Sequence, residues 1–125
     1  MVSIRMRYPH GVEITVDVRP ENTDTVKRLM DALPFTSKVH RWGDEVYFDA
    51  PFHSSLEGDA RAEMEVGEVA FWPDGDAVAV FFGRTPVSKD DKPRAYSPCN
   101  VIGRVHGDAS ALRRVDEGSS VEVLL

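Results

Sequence analysis

The stretch from Val66 to Gly107 constrains the fold most, because it combines the densest apolar and aromatic content with the clearest turns. It reads V-G-E-V-A-F-W-P-D-G-D-A-V-A-V-F-F-G-R-T-P, then a polar segment, then P-R-A-Y-S-P-C-N-V-I-G-R-V-H-G. Val66 to Trp72 reads as a strand. Pro73-Asp74-Gly75-Asp76 is turn chemistry, since proline presets φ and glycine supplies the positive φ that other residues avoid. Ala77 to Phe82 runs back, which predicts an antiparallel hairpin. The second strand is apolar at every position, so the hairpin is expected to be covered on both faces. Gly83 ends it. Pro86 to Pro98 is charged and holds prolines, and reads as a surface loop. Asn100 to His106 is a third strand, in which Gly103 marks a bulge or a close backbone approach.

The rest of the chain supplies the same kind of element. Val2 to Tyr8 alternates apolar and polar residues, Pro9-His10-Gly11 turns, and Val12 to Val18 alternates again, giving a first hairpin. Asn22-Thr23-Asp24 is N-cap chemistry, and Val26, Leu29, Met30 and Leu33 follow at helical spacing up to Pro34. Phe35 to Trp42 and Glu45 to Phe48 predict a hairpin around Gly43-Asp44. Ala50 to Ala62 reads as loop, or as a short helical turn near Leu56. Asp108, as N-cap, opens a short helix through Leu112, Gly118-Ser119 breaks it, and Val121 to Leu125 is a closing strand. Two strands, a helix, about five strands, a short helix and a strand suit a mainly β fold. The expectation is one domain over residues 1–125, a closed antiparallel barrel of about eight strands with two capping helices.

Composition excludes several classes. A chain of 125 residues with 42% hydrophobic content can bury a core as one domain. A net charge of −6 and scattered Lys and Arg argue against nucleic acid as partner. No window approaches the apolar length of a membrane span, and the N-terminus lacks a signal-peptide core. The single cysteine, Cys99, fits a cytoplasmic protein.

Several motifs resemble the atypical prokaryotic cyclophilin-like family, small single-domain proteins of unassigned function. They are W-G-D-E-V-Y-F at Trp42 to Phe48, G-E-V-A-F-W-P-D-G at Gly67 to Gly75, F-F-G-R-T-P at Phe81 to Pro86 and S-P-C-N-V-I-G-R-V at Ser97 to Val105. The resemblance covers most of the chain from Trp42 onward, and implies an eight-stranded barrel capped by two helices. Prolyl isomerisation is the activity to weigh against it. A cyclophilin lowers the barrier of about 20 kcal/mol to rotation about X-Pro with an apolar pocket and an arginine aimed at the twisted amide. Against the cyclophilin Phe-His-Arg run, this chain has Val39-His40-Arg41, which makes Arg41 the candidate catalytic residue. Against Gln-Phe-Phe it has Val80-Phe81-Phe82, without the glutamine. The tryptophan of the usual cyclophilin wall has no counterpart, since Trp72 precedes a turn.

Other chemistry finds less support in the residues. His10, His40, His53 and His106 lack metal-ligand spacing, so neither metal nor cofactor is expected. His53-Ser54-Ser55 has no orienting acid for a triad. Cys99 reads as a buried inert thiol. Asp44 and Glu45 are expected to cap their turn or face water. What remains is a set of aromatics, Tyr47, Phe48, Phe71, Phe81, Phe82 and Tyr96, with Arg84, Thr85 and Asn100 at strand ends beside them. About half of the phenylalanines are expected in the core. The rest would line a groove for a peptide or a small ligand, with Arg84 placed to hold a carboxylate or a peptide carbonyl. A binding module is the leading reading. A weak isomerase using Arg41 and Phe81-Phe82, and a protein-interaction subunit, are the alternatives.

Overall fold

A computed structural model describes residues 2–125. The strands are β1 (Ser3–Arg7), β2 (Glu13–Val18), β3 (Phe35–Arg41), β4 (Glu45–Asp49), β5 (Arg61–Glu63), β6 (Glu68–Trp72), β7 (Ala77–Phe81), β8 (Arg94–Val105) and β9 (Ser120–Leu124). Among the described residues there is one α-helix, α1, at Asp24–Ala32, and a 3-10 turn at Ser110–Arg114. All pairings are antiparallel, in the order β2-β1-β9-β3-β4-β7-β6-β8-β5, and β2 also pairs with β8. That pairing closes a ring of every strand but β5, so the barrel has eight strands and no open edge. β5 lies outside the ring, on β8.

Strand alternation decides what fills the barrel. Ile4 and Met6 of β1, Ile14 and Val16 of β2, and Val121 and Val123 of β9 point inward and are buried. So are Val46 and Phe48 of β4, Val69 and Phe71 of β6, and Val78 and Val80 of β7. The Thr23 side chain caps α1 by accepting from the Val26 amide at 3.2 Å. Val26 and Leu29 bury the apolar stripe of the helix, with Met30 and Leu33 packed against the same core.

Three expectations need correction. The second helix is only the 3-10 turn, because the Asp108 carboxylate accepts from the Ser110 amide at 2.9 Å and from its hydroxyl at 2.7 Å. An acid satisfied two residues on makes a local turn in place of an α-helical N-cap. β8 begins at Arg94, ahead of Asn100, so part of the expected loop is strand. Its pairing with β5 jumps from Glu63↔Arg94 to Arg61↔Cys99, and the intervening Tyr96-Ser97-Pro98 bulges outward, where a proline without N–H is tolerated. Finally, Arg61–Glu63 is a short strand, and no helical turn forms near Leu56. The bulge at Gly103 is present: the β6–β8 register shifts between Val69↔Gly103 and Ala70↔Val101. A Cβ at Gly103 would also collide with the Asp17 carbonyl of β2, so both expected reasons for that glycine hold.

Candidate functional site

The outer face of β4, β7 and β6 carries a second apolar cluster, separate from the barrel core, built on Met64, Ala70, Ala79, Phe81, Ala95 and Cys99. Register explains it. Glu45 pairs with Phe81, Tyr47 with Ala79 and Asp49 with Ala77 across β4–β7. Ala70 pairs with Ala79 and Trp72 with Ala77 across β6–β7. Each of these side chains points away from the core residues that alternate with it. The β8 bulge lies alongside and brings Ala95, Tyr96 and Cys99 to the same face.

Between them is a cavity of about 190 Å³. Ala77, Ala79 and Ala95 form its floor, where larger side chains would fill the space. Trp42, Tyr47, Trp72, Phe81 and Tyr96 form its walls, and Glu45 and Cys99 complete the lining. Tyr96 meets the Trp42 ring at 6.2 Å with planes 70° apart, and the Trp72 ring at 6.1 Å with planes 79° apart. Trp72 is fixed: its indole Nε1 donates to Ser97 Oγ at 2.6 Å. Its ring lies over Gly75, where any Cβ would collide with it, which is why the turn after β6 needs glycine there. Tyr96 is 73% exposed and forms the outer lip.

Glu45 is the unexpected member. It neither caps its turn nor faces water, being only 7% exposed, and its Oε1 has no hydrogen-bond partner. Burial pushes its carboxyl up to about 8, because the charged form is deprived of water. The Cys99 thiol is pushed up to about 12, by burial first and then by the negative charges of Glu45 and Asp74. It donates to the Ser97 carbonyl at 3.4 Å and is buried, as expected.

Of the expected groove residues, the structure brings together Tyr47, Phe81 and Tyr96. It separates the others. Phe48, Phe71 and Phe82 belong to the barrel core, on the opposite face of the strands. Asn100 is buried among the segments that α1 covers: it donates to Thr25 Oγ1 at 3.0 Å and to the Ser55 carbonyl at 2.9 Å, and accepts from the Glu57 amide at 2.8 Å. Thr85 Oγ1 donates to the Arg94 carbonyl at 2.5 Å and ties the loop to β8. Arg84 is exposed and lies outside the cavity lining.

Arg41 pairs with Val46, hence faces the barrel interior, whereas Phe81 pairs with Glu45 on the outer face. The Arg41 guanidinium lies 5.2 Å from the Phe82 ring centre and donates to the carbonyls of Gly43, Arg113 and Val115. It fastens the 3-10 turn to the end of the barrel.

Residues 2–124 match the model of a family described as cyclophilin-like. The chain belongs to the cyclophilin-like family. The solution structure of a hypothetical protein from Archaeoglobus fulgidus is similar to it at 39% identity and a TM-score of 0.84, covering 98% of this chain and 92% of that one. No curated protein matches the chain. The cyclophilin-like barrel positions the cavity, and the residues lining it come from β4, β6, β7 and β8 and, for Trp42, from the turn between β3 and β4.

Two signals in the sequence pointed to the missed residues. Ala77-Val78-Ala79-Val80 alternates small with large, as a strand does when one face is packed and the other recessed. Both tryptophans of the chain stand at strand ends beside glycine turns.

Proposed function

We propose that this cyclophilin-like protein is a small-ligand binder and that the ligand sits in the outer cavity of β4, β7, β6 and β8. The observation that carries this is a preformed recess with an alanine floor and aromatic walls, the usual build of a ligand pocket. Its size limits what enters. A cavity of ~150 Å³ takes a benzene-sized molecule, and drug-sized ligands use about 300–1,000 Å³. At about 190 Å³, the cavity suits one side chain or one compact head group. The isomerase alternative needs Arg41 and Phe81 in one groove, and the two residues lie on opposite faces of the sheet.

The test is a titration of ¹⁵N-labelled protein with small amines, amides, carboxylic acids and capped amino acids. Compounds that bind should shift the indole signals of Trp42 and Trp72 and the backbone signals around Tyr96. Ala79→Leu, which puts a side chain into the recess, should abolish those shifts while the remaining spectrum is preserved. Shifts that cluster elsewhere, or none across the set, would sink the proposal.

A further inference from the structure

The cavity combines two features with different preferences. Its walls are rings, with Tyr96 standing nearly perpendicular to both Trp42 and Trp72, so neighbouring walls meet as the sides of a box. The faces of such rings carry negative quadrupole density and attract cations, Trp most strongly. Glu45 is among the lining residues, and its buried Oε1 is satisfied by nothing in the protein. A buried polar atom left without a partner is rare in native structures and calls for an explanation. No lysine, arginine or histidine is among the lining residues, so the pocket has no charge of its own to answer Glu45. An acidic ligand would have to bury its charge beside that carboxyl.

We infer that the pocket, if it is the ligand site proposed above, takes an organic cation: an alkylated ammonium head group enclosed by Trp42, Tyr47, Trp72 and Tyr96, with Glu45 as its counter-ion. The recess has room for one such group and its walls are already in place, so little ordering remains for binding. A compact ammonium without alkyl groups would lose its hydration shell and return little apolar contact, so alkyl substitution on nitrogen favours entry. The chain's net charge of −6 also draws cations toward it. Glu45 ionises as the cation arrives, because an opposite charge at close range favours the carboxylate. The groups facing Glu45 are the Cys99 thiol from β8 and the Tyr47 phenol on its own strand, with Asp74 acting on the same thiol from the β6–β7 turn. None of them is a cation.

The experiment compares choline with 3,3-dimethyl-1-butanol, its uncharged isostere, by quenching of the intrinsic fluorescence of Trp42 and Trp72. A third arm uses N-acetyl-trimethyllysine methylamide, which separates a free small molecule from a modified side chain as the source of the head group. The expected result is that choline or the lysine derivative binds at least about tenfold more tightly than the alcohol. Glu45→Gln should bring the cation's affinity down toward that of the alcohol. Tyr96→Ala alters an exposed lip residue and should weaken the cation by several fold even if Glu45→Gln disturbs folding. Equal affinity for cation and alcohol would overturn the cation inference and leave the pocket as a site for neutral ligands. Binding of neither cation would also overturn it. The pocket reading itself then falls only if the broader titration moves neither tryptophan.

Discussion

On the inner face of β4, β7 and β6, Val46, Phe48, Val69, Phe71, Val78 and Val80 are wholly enclosed. On the outer face the same strands present Glu45, Tyr47, Ala70, Trp72, Ala77, Ala79 and Phe81. The inner set is large and apolar. The outer set alternates alanines with rings, and it encloses a carboxyl. Two buried polar residues make the contrast sharper. Asn100 has its amide oxygen and nitrogen bonded to Glu57, Thr25 and Ser55, so it holds segments together. Glu45 has an oxygen bonded to nothing. Glu57, beside Asn100, also has a buried oxygen without a partner, but of the two it is Glu45 that lines the cavity, where an entering group could answer it.

The widest difference between the faces should appear in stability. Phe71 is fully buried and stacks on Phe52 at 5.0 Å with planes 20° apart. Phe71→Ala should cost about 3–5 kcal/mol, since it removes a ring from the closed core and leaves a cavity. Tyr96→Ala on the outer lip should cost no more than about 0.5 kcal/mol. Urea unfolding of both variants checks this. Similar losses would mean that the outer rings are part of the core and that the recess is a packing defect.

Asn100→Ala should rank next, at about 2–3 kcal/mol. The substitution strands the Glu57 amide and the Ser55 carbonyl, and a buried group left unmade costs about 1–3 kcal/mol. Hydrogen exchange should then rise at Thr25 and Glu57, with the barrel strands unchanged. A loss below about 0.5 kcal/mol would show that water replaces the side chain easily, and the distinction from Glu45 would weaken.

Much of this was legible in the sequence because it is local. Alternation in Val2 to Tyr8 and Val12 to Val18, turn chemistry at Pro73 to Asp76, and the cap at Thr23 each act within a few residues. The barrel follows from them, and the family motifs from Trp42 onward agree with it. The second helix was misread because Asp108 has two local outlets, and the chain cannot show which its carboxylate takes. The groove was misread because face matters more than residue type. Phe81 and Phe82 are neighbours in sequence, yet one joins the outer cluster and the other the core. Arg41 likewise went with Phe82. Glu45 shares its recess with Ala95, Tyr96 and Cys99 of β8, about fifty residues away in the chain, and no local pattern at Glu45 reports it.

The effect most specific to the outer face lies in the pH dependence of stability. The folded protein holds the Glu45 proton up to about pH 8, whereas the unfolded chain releases it near the ordinary value of 4.5. Between those values the folded state binds more protons, so stability declines as pH rises, by at most about 1.4 kcal/mol per unit. It levels off above about pH 8, once both states have lost the proton. The Cys99 thiol, pushed up to about 12, stays protonated in the folded protein throughout that window. Carboxyls held low, such as Glu68, where burial pushes up but the Arg61 guanidinium and the Glu65 amide together pull the carboxyl below its ordinary value, act on the acid side in the opposite sense. The measurement is therefore a difference, wild type against Glu45→Gln, by urea unfolding at intervals from pH 5 to pH 9. The advantage of wild type over the variant should shrink across the window and then hold constant. A saturating organic cation should flatten the decline, because it supplies the charge that burial withholds. A difference that is flat without ligand would mean that water already reaches the Glu45 carboxylate, and the two faces would then differ in shape but not in electrostatics.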